Sequence, residues 1–141
     1  MSPAPRRIYL DTSAYLAMLL GEPGADRLAD ATGGAWLLSS VLLVLETRRN
    51  LIRLGREGSL KLAQYEACMK RAEEDLSLFE LRDLTLDLCM SNVLPPLATP
   101  RSLDLAHLRT ALWFHGETPI ERFVTTDAAQ AQAASALGLP V

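Results

Sequence analysis

Cysteine is scarce in this sequence, and the two cysteines present do not form a metal-binding pattern. Cys68 and Cys89 lie far apart among the 141 residues, and neither has a histidine or cysteine at the spacing of a zinc ligand set. This usage indicates reduced, partly buried thiols, as expected in a cytosolic protein.

Long apolar runs are absent as well. The N-terminal residues lack the apolar central region of a signal peptide, and the apolar stretch at residues 15–20 is far too short to span a bilayer. We therefore expect a soluble, cytoplasmic protein that does not associate with a membrane.

An excess of positive charge is the third feature that is missing. The chain has 14 Lys and Arg against 17 Asp and Glu, which gives a formal net charge of −3. No global positive field attracts such a chain to nucleic acid, so a polyanion would have to meet a local basic patch or a bound cation. The length suits a single domain over residues 1–141, and a hydrophobic content of 49% is enough for one core.

Short apolar segments alternate with segments of helical character along the chain. Strands are predicted at residues 7–10, 36–39, 78–81 and 122–126, with a further short edge strand at 139–141. Helices are predicted at residues 13–20, 25–31, 41–54, 60–75, 84–93, 103–114 and 128–137. Ser40 is the predicted N-cap of the third helix, and Gly55 is its predicted end. This order predicts an α/β fold in which helices cover both faces of a parallel sheet of four to five strands.

Two acids follow predicted strands directly. Asp11 comes after the apolar residues 8–10 and is followed by the hydroxyls of Thr12 and Ser13, and Asp127 follows the fourth main strand. The carboxyl ends of parallel strands lie at one edge of the sheet, where ligands bind in open α/β folds. Both acids would also be favoured as helix N-caps, so their position is consistent with a purely structural role too.

Two further acids lie on predicted helices. Glu46 is placed between an apolar and a basic turn, where a salt link to Arg49 is the simpler role. Asp104 shares a helical stripe with Leu108 and Ala111, and a carboxylate there is costly without a partner. Asp104 could instead bind backbone N–H groups in the first turn, or reach solvent from the edge of the stripe.

Four converging carboxylates would repel one another unless a cation neutralised them. Carboxylates and water are ligands of Mg²⁺ or Mn²⁺ rather than of zinc, and such a cluster can activate water and stabilise the charge on a phosphodiester. Arginines on the helix after Glu46 could hold the flanking phosphates, or could form a solvated face paired with Glu57. These arginines are Arg48, Arg49, Arg53 and Arg56.

The order and spacing of these acids resemble those of a PIN domain, and specifically the VapC-type toxins of bacterial toxin–antitoxin pairs. The resemblance covers nearly the whole chain. Four segments of this chain resemble the four acid motifs of the family in order. They are YLDTSA at residues 9–14, LVLETRR at 43–49, SLDLAHLRTA at 102–111 and FVTTD at 123–127. The ending ALGLPV at residues 136–141 also resembles that of the family.

The resemblance implies a PIN-like three-layer α/β/α fold and an endoribonuclease that hydrolyses RNA phosphodiester bonds with water activated by Mg²⁺ or Mn²⁺. It implies the toxin component of a type II (VapBC) system, a homodimer, and a VapB-type antitoxin whose tail blocks the acidic pocket. Asp11, Glu46 and Asp104 would be catalytic metal ligands, and Asp127 would bind a second metal or hold water. The supporting residues would be Thr12, Ser13 and Thr126.

The third and fourth motifs depart from the family pattern. Arg109 stands where a small residue is usual, and Ala128 follows Asp127 where a polar residue is often found. These departures leave open a catalytically weak PIN-fold module that binds RNA or a partner. We expect His107, one turn from Asp104, to be a structural histidine.

Two other classes with acids at a sheet edge fit less well. A receiver-type signalling domain needs a lysine late in the chain, and the last lysine here is Lys70. A phosphatase that used Asp11 as nucleophile would usually carry a second acid two residues later, where this chain has Ser13.

Overall fold

The computed structural model of the chain describes residues 3–91, 93–99 and 101–141. Within these ranges the strands are β1 (Arg7–Leu10), β2 (Trp36–Ser40), β3 (Glu80–Arg82) and β4 (Arg122–Val124). The helices are α1 (Thr12–Leu19), α2 (Ala25–Thr32), α3 (Leu42–Glu57), α4 (Leu62–Leu76), α5 (Leu86–Met90), α6 (Ser102–Glu117) and α7 (Ala128–Ala136). The predicted α/β class is confirmed. No helix in the described part of the chain is both long and apolar enough to cross a membrane.

The four strands form one parallel sheet in the order β3-β2-β1-β4. Strand β1 is central, with Ile8 opposite Leu37 of β2 and Tyr9 opposite Phe123 of β4. The chain therefore continues from β1 to β2 and β3 on one side and later adds β4 on the other side of β1. Such a reversal opens a crevice at the carboxyl ends of the strands, which is where Asp11 follows β1.

Side chains of β1 alternate between two apolar layers. Tyr9 packs with Phe123 and Leu108 on the side covered by α6 and α7. Ile8 and Leu10 point to the opposite side, where they pack with residues of α1 and α2. Because successive residues of a strand face opposite sides of the sheet, this alternation gives helices on both faces, consistent with the three-layer α/β/α arrangement.

Helix α3 runs past its predicted end. Gly55 was expected to close it, but the helix continues to Glu57 and ends at Gly58, whose φ of 78° is left-handed. Gly55 instead lets α4 approach, since a Cβ atom there would stand 3.1 Å from Cδ2 of Tyr65. Ser40, the predicted N-cap, is the last residue of β2, although its Oγ accepts a hydrogen bond from the N–H of Leu42.

Other element boundaries also differ from the prediction. Helix α5 is much shorter than residues 84–93, because the Ser91 hydroxyl donates to the Leu88 carbonyl as the helix ends. Asn92 of that predicted range lies outside the described residues. The predicted edge strand at 139–141 is wrong: the N–H of Phe123 donates to the carbonyl of Pro140, but Pro140 has no N–H with which to continue a ladder.

Candidate functional site

The four predicted acids line one cavity at the carboxyl edge of the sheet. The cavity has a volume of about 330 Å³. Asp11 follows β1, Glu46 lies on α3, Asp104 on the first turn of α6, and Asp127 is the N-cap of α7. The rest of the lining is formed by Thr12, Ser13, Leu16, Asn50, Arg101, Ser102, Leu103 and His107.

Asp11 is buried at the base of this cavity. Only 4% of the residue is exposed, and its Oδ1 accepts hydrogen bonds from the Ser13 hydroxyl at 2.7 Å and the Ala14 N–H at 3.1 Å. Burial raises the pKa of Asp11, and hydroxyl groups of Thr125 and Ser13 offset only part of that rise. Asp11 therefore has the structural role of N-cap of α1 that the sequence also allowed, and its carboxyl group lines the cavity as well.

Glu46 is held by two donors from other elements. Its Oε1 accepts hydrogen bonds from the Thr12 hydroxyl at 2.8 Å and from Nε2 of His107 at 2.8 Å. Burial alone would raise the pKa of Glu46, but the contacts from His107 and Thr12, with the charge of Arg49 nearby, hold it below its ordinary value. The carboxylate is thus kept ionised and fixed toward the cavity.

His107 connects Glu46 to the core of the domain. An ionised carboxylate only accepts hydrogen bonds, so Nε2 of His107 carries the hydrogen, and Nδ1 accepts from the Tyr9 hydroxyl 2.7 Å away. Tyr9 is fully buried, and burial raises its pKa well above the ordinary value, so the hydroxyl keeps its proton and can donate. The result is a chain of hydrogen bonds from Tyr9 through His107 to Glu46.

Asp104 and Asp127 share one positive partner, the guanidinium of Arg101. Nε of Arg101 donates to Oδ2 of Asp104 at 2.8 Å, and one terminal nitrogen, Nη2, donates to Oδ2 of Asp127 at 2.8 Å. Asp104 also accepts from the Thr99 hydroxyl, and Oδ1 of Asp127 accepts the first N–H groups of α7. Asp104 is therefore held by side chains rather than by backbone N–H groups.

The donor set of the cavity suits a hard divalent cation, but the acids do not stand as a ready cluster. Carboxylates, hydroxyls and water are ligands of Mg²⁺ or Mn²⁺. The guanidinium of Arg101 already lies between Asp104 and Asp127, so positive charge is favourable at this position. Across residues 3–91, 93–99 and 101–141, however, no three Asp, Glu, His or Cys side chains are gathered closely enough to hold a metal ion.

The predicted supporting hydroxyls have separate partners. Thr12 donates to Glu46, whereas Ser13 donates to Asp11. Thr126 was predicted to support the site, but its side chain is exposed and its contribution is a backbone N–H donated to the Ser13 oxygen. The neighbouring Thr125 takes the expected place, since its hydroxyl lies 3.1 Å from that of Ser13 and accepts the N–H of Asp127.

The four predicted arginines divide between two surfaces. Residues three, four and seven positions apart share a helix face, so Arg49 and Arg53 lie on the face of Glu46 with Asn50, which lines the cavity. Arg48 and Arg56 line grooves between α3 and α4 instead. Arg53 also pairs with Glu57 at 3.2 Å, as the alternative interpretation expected.

Sequence reasoning did not foresee the contacts of two residues that line the cavity. His107 was expected to be structural and is indeed buried and bonded to Tyr9, but it also binds Glu46 directly. A polar residue three positions after Asp104 on an otherwise apolar stripe was the available signal. Arg101 was not singled out, and its proximity to both acids depends on how α6 and α7 pack, which no local pattern shows.

A scan against protein-family models found no matching family, and a search of curated proteins found no matching relative.

Burial of Asp11 should cost stability at neutral pH. With its pKa raised in the folded protein, the carboxyl group ionises at lower pH in the unfolded chain. This penalty is therefore absent below the ordinary value of 3.8, grows as pH rises from there to the folded pKa, and is complete above it. Asp11→Asn keeps the capping oxygen and removes the charge. Urea unfolding in EDTA should show that Asp11→Asn is more stable than the parent at pH 7, with a difference that shrinks on acidification.

A matched control for this change is Asp30→Asn, because Asp30 is exposed on α2. Its stability should follow that of the parent at every pH. A neutral-pH stability of Asp11→Asn equal to or below that of the parent would contradict the assigned burial cost.

Removal of the His107 ring should destabilise the fold as well as the site. His107→Ala leaves the Tyr9 hydroxyl and the Glu46 carboxylate without this partner and opens a cavity beside α6, at a cost of about 2–4 kcal/mol in urea unfolding. His107→Gln can still donate to Glu46 and should recover part of this loss. Equal stability of His107→Ala and the parent would exclude the proposed chain of hydrogen bonds.

Proposed function

We propose that this protein is a metal-dependent endoribonuclease with a PIN-like fold, the toxin component of a VapBC-type pair. The observation that carries the proposal is the convergence of Asp11, Glu46, Asp104 and Asp127, which are remote in sequence, on one cavity at the sheet edge. A hydrophobic ligand would bind poorly in a cavity lined by carboxylates. A phosphodiester could bind there if a cation bridged its oxygens to the carboxylates.

In this proposal Mg²⁺ or Mn²⁺ would be held by Asp11 and Asp104 with help from Glu46 and Asp127. When bound, the cation activates water and offsets the charge that builds on the phosphodiester. Ser13 fixes the rotamer of Asp11, and His107 with Thr12 fixes that of Glu46. These hydrogen bonds hold the carboxylates in place before substrate arrives, which reduces the reorganisation that the reaction needs.

RNA as the substrate fits the distribution of charge around the cavity. The chain is acidic overall, so attraction to RNA must be local. Arg49 and Arg53 are exposed on the same face of α3 as Glu46, where they can bind phosphates on either side of the scissile bond. Arg48 and Arg56, on other faces, would contribute less to RNA binding.

The proposed antitoxin and the second copy of the chain need apolar surfaces outside the cavity. A groove of about 440 Å³ between α3 and α4 is lined by apolar residues such as Ile52 and Met69, together with Arg48 and Glu73. Ile52 is 54% exposed and Leu62, nearby on α4, is 71% exposed. An amphipathic helix fits such a groove, so this is where the proposal places a VapB-type partner.

A catalytically weak binding module is the second candidate. It is favoured by the salt bridges from Arg101 to Asp104 and Asp127, which offset part of the charge of the two acids without a metal ion. Calorimetric titration with Mn²⁺ separates the two functions, because only the nuclease needs a saturable site that is lost in Glu46→Gln. Saturable binding in the parent would argue against the weak module.

The cleavage test uses RNA-end mapping after brief expression, together with purified protein and RNA in Mg²⁺. Asp11→Asn should reduce cleavage on the order of a hundredfold or more, since a metal ion at a phosphoryl group supplies several kcal/mol of transition-state stabilisation. Asp30→Asn, an exposed acid on α2, is the control and should cleave as the parent does. Cleavage that persists unchanged in Asp11→Asn, or in excess EDTA, would refute the nuclease.

The arginine face can be tested by binding alone, in the Asp11→Asn background. Replacement of both Arg49 and Arg53 by Gln should weaken binding of single-stranded RNA and reduce the slope of log K against log salt by about 1.4, because each phosphate contact contributes about 0.7. Replacement of both Arg48 and Arg56 by Gln is the charge-matched control. Fluorescence anisotropy should show little change in the RNA affinity of the control. Equal losses of affinity in the two double variants would disprove that RNA binds the face of Arg49 and Arg53.

A further inference from the structure

Arg101 occupies the position between two carboxylates that a divalent cation would be expected to take. Its side chain reaches from the residue before α6 to Asp104 in the first turn of that helix and to Asp127 at the start of α7. The two acids belong to different helices, and this guanidinium is a partner that they share.

At Asp127, Arg101 holds the oxygen atom that a metal ion would need. Oδ1 of Asp127 already accepts two N–H groups of α7, which leaves Oδ2 for a ligand, and Arg101 donates to Oδ2. At Asp104 the guanidinium shares Oδ2 with the Thr99 hydroxyl, so it also lies directly against this carboxylate. A cation could therefore bind these two Oδ2 atoms fully only after the guanidinium had moved away.

The guanidinium is also exposed to solvent. The Arg101 side chain is 68% exposed, while those of Asp104 and Asp127 are 19% and 30% exposed. Exposed ion pairs are weak because water competes for both partners and the long side chain loses freedom when it is held. Arg101 can therefore offset part of the charge of the two acids and still be displaced by a divalent ion, whose charge is larger and more concentrated.

We propose that Arg101 is a built-in competitor for the divalent cation at Asp104 and Asp127. The inference deepens the proposed function, on whose metal site it rests. In metal-free protein the guanidinium holds the two acids together and limits their repulsion. Metal binding requires this salt bridge to open, so Arg101 sets the metal concentration at which the site fills.

The test is the affinity for Mn²⁺, measured by calorimetry on the full chain, with no RNA present. Arg101→Ala should bind Mn²⁺ about three- to tenfold more tightly than the parent, because two ion pairs that are weakened by the exposure of the guanidinium no longer oppose the metal. Arg48→Ala removes the same charge from the α3–α4 groove and should change the affinity less than twofold. In an Asp127→Asn background, where only Asp104 remains as a charged partner, the effect of Arg101→Ala should be smaller.

A second measurement avoids any dependence on the folding of the variants. In the parent protein, Mg²⁺ titration should shift the Nε–H nuclear magnetic resonance signal of Arg101 along a saturating curve as the guanidinium leaves Asp104. The Nε–H signal of Arg48 should not follow that curve.

The outcomes separate this inference from the proposed function. Saturable Mn²⁺ binding with equal affinity in the parent and Arg101→Ala would refute the role of Arg101 as a competitor, while leaving the proposed metal site in place. Binding in Arg101→Ala but not in the parent would support the competitor in its strongest form. Absence of saturable binding in every variant would overturn both the competitor and the metal-dependent nuclease.

Discussion

The position of Asp11 after the central strand is the constraint on which the rest of the site depends. Strand β1 is buried on both sides of the sheet and delivers this carboxyl group into the interior of the domain, where only 4% of the residue remains exposed. A buried acid needs partners, and the chain supplies them locally through Ser13 and the first turn of α1. The same geometry opens the crevice in which the other acids meet it.

Each acid of the cavity is stabilised by a different device. Asp11 accepts bonds from its own helix turn, Glu46 is fixed by His107, and Asp104 and Asp127 are joined through Arg101. Separate partners therefore offset the charge of each carboxylate that lines the cavity. Any cation that binds there would have to compete with these partners for the carboxylate oxygens.

Much of the framework was predictable from sequence, because local patterns determine it. The apolar run at residues 8–10, which ends on Asp11, predicted β1 with its observed bounds, and the rule for parallel strands correctly placed the acids after β1 and β4 at one edge. Gly55 was misjudged as a helix end because its role is to admit the Tyr65 ring from α4, a tertiary contact. Arg101 was missed for the same physical reason, since its two partners meet only when α6 and α7 pack.

The central claim is that the four acids bind one divalent site, and Mg²⁺ titration of the ¹⁵N-labelled protein tests it most directly. The backbone amide signals of Asp11, Glu46, Asp104 and Asp127 should shift together and saturate at a common Mg²⁺ concentration, while that of Asp30 on α2 should stay in place. Shifts that rise linearly without saturation, or that follow unrelated concentrations at the four acids, would contradict a shared site and with it the account of this cavity.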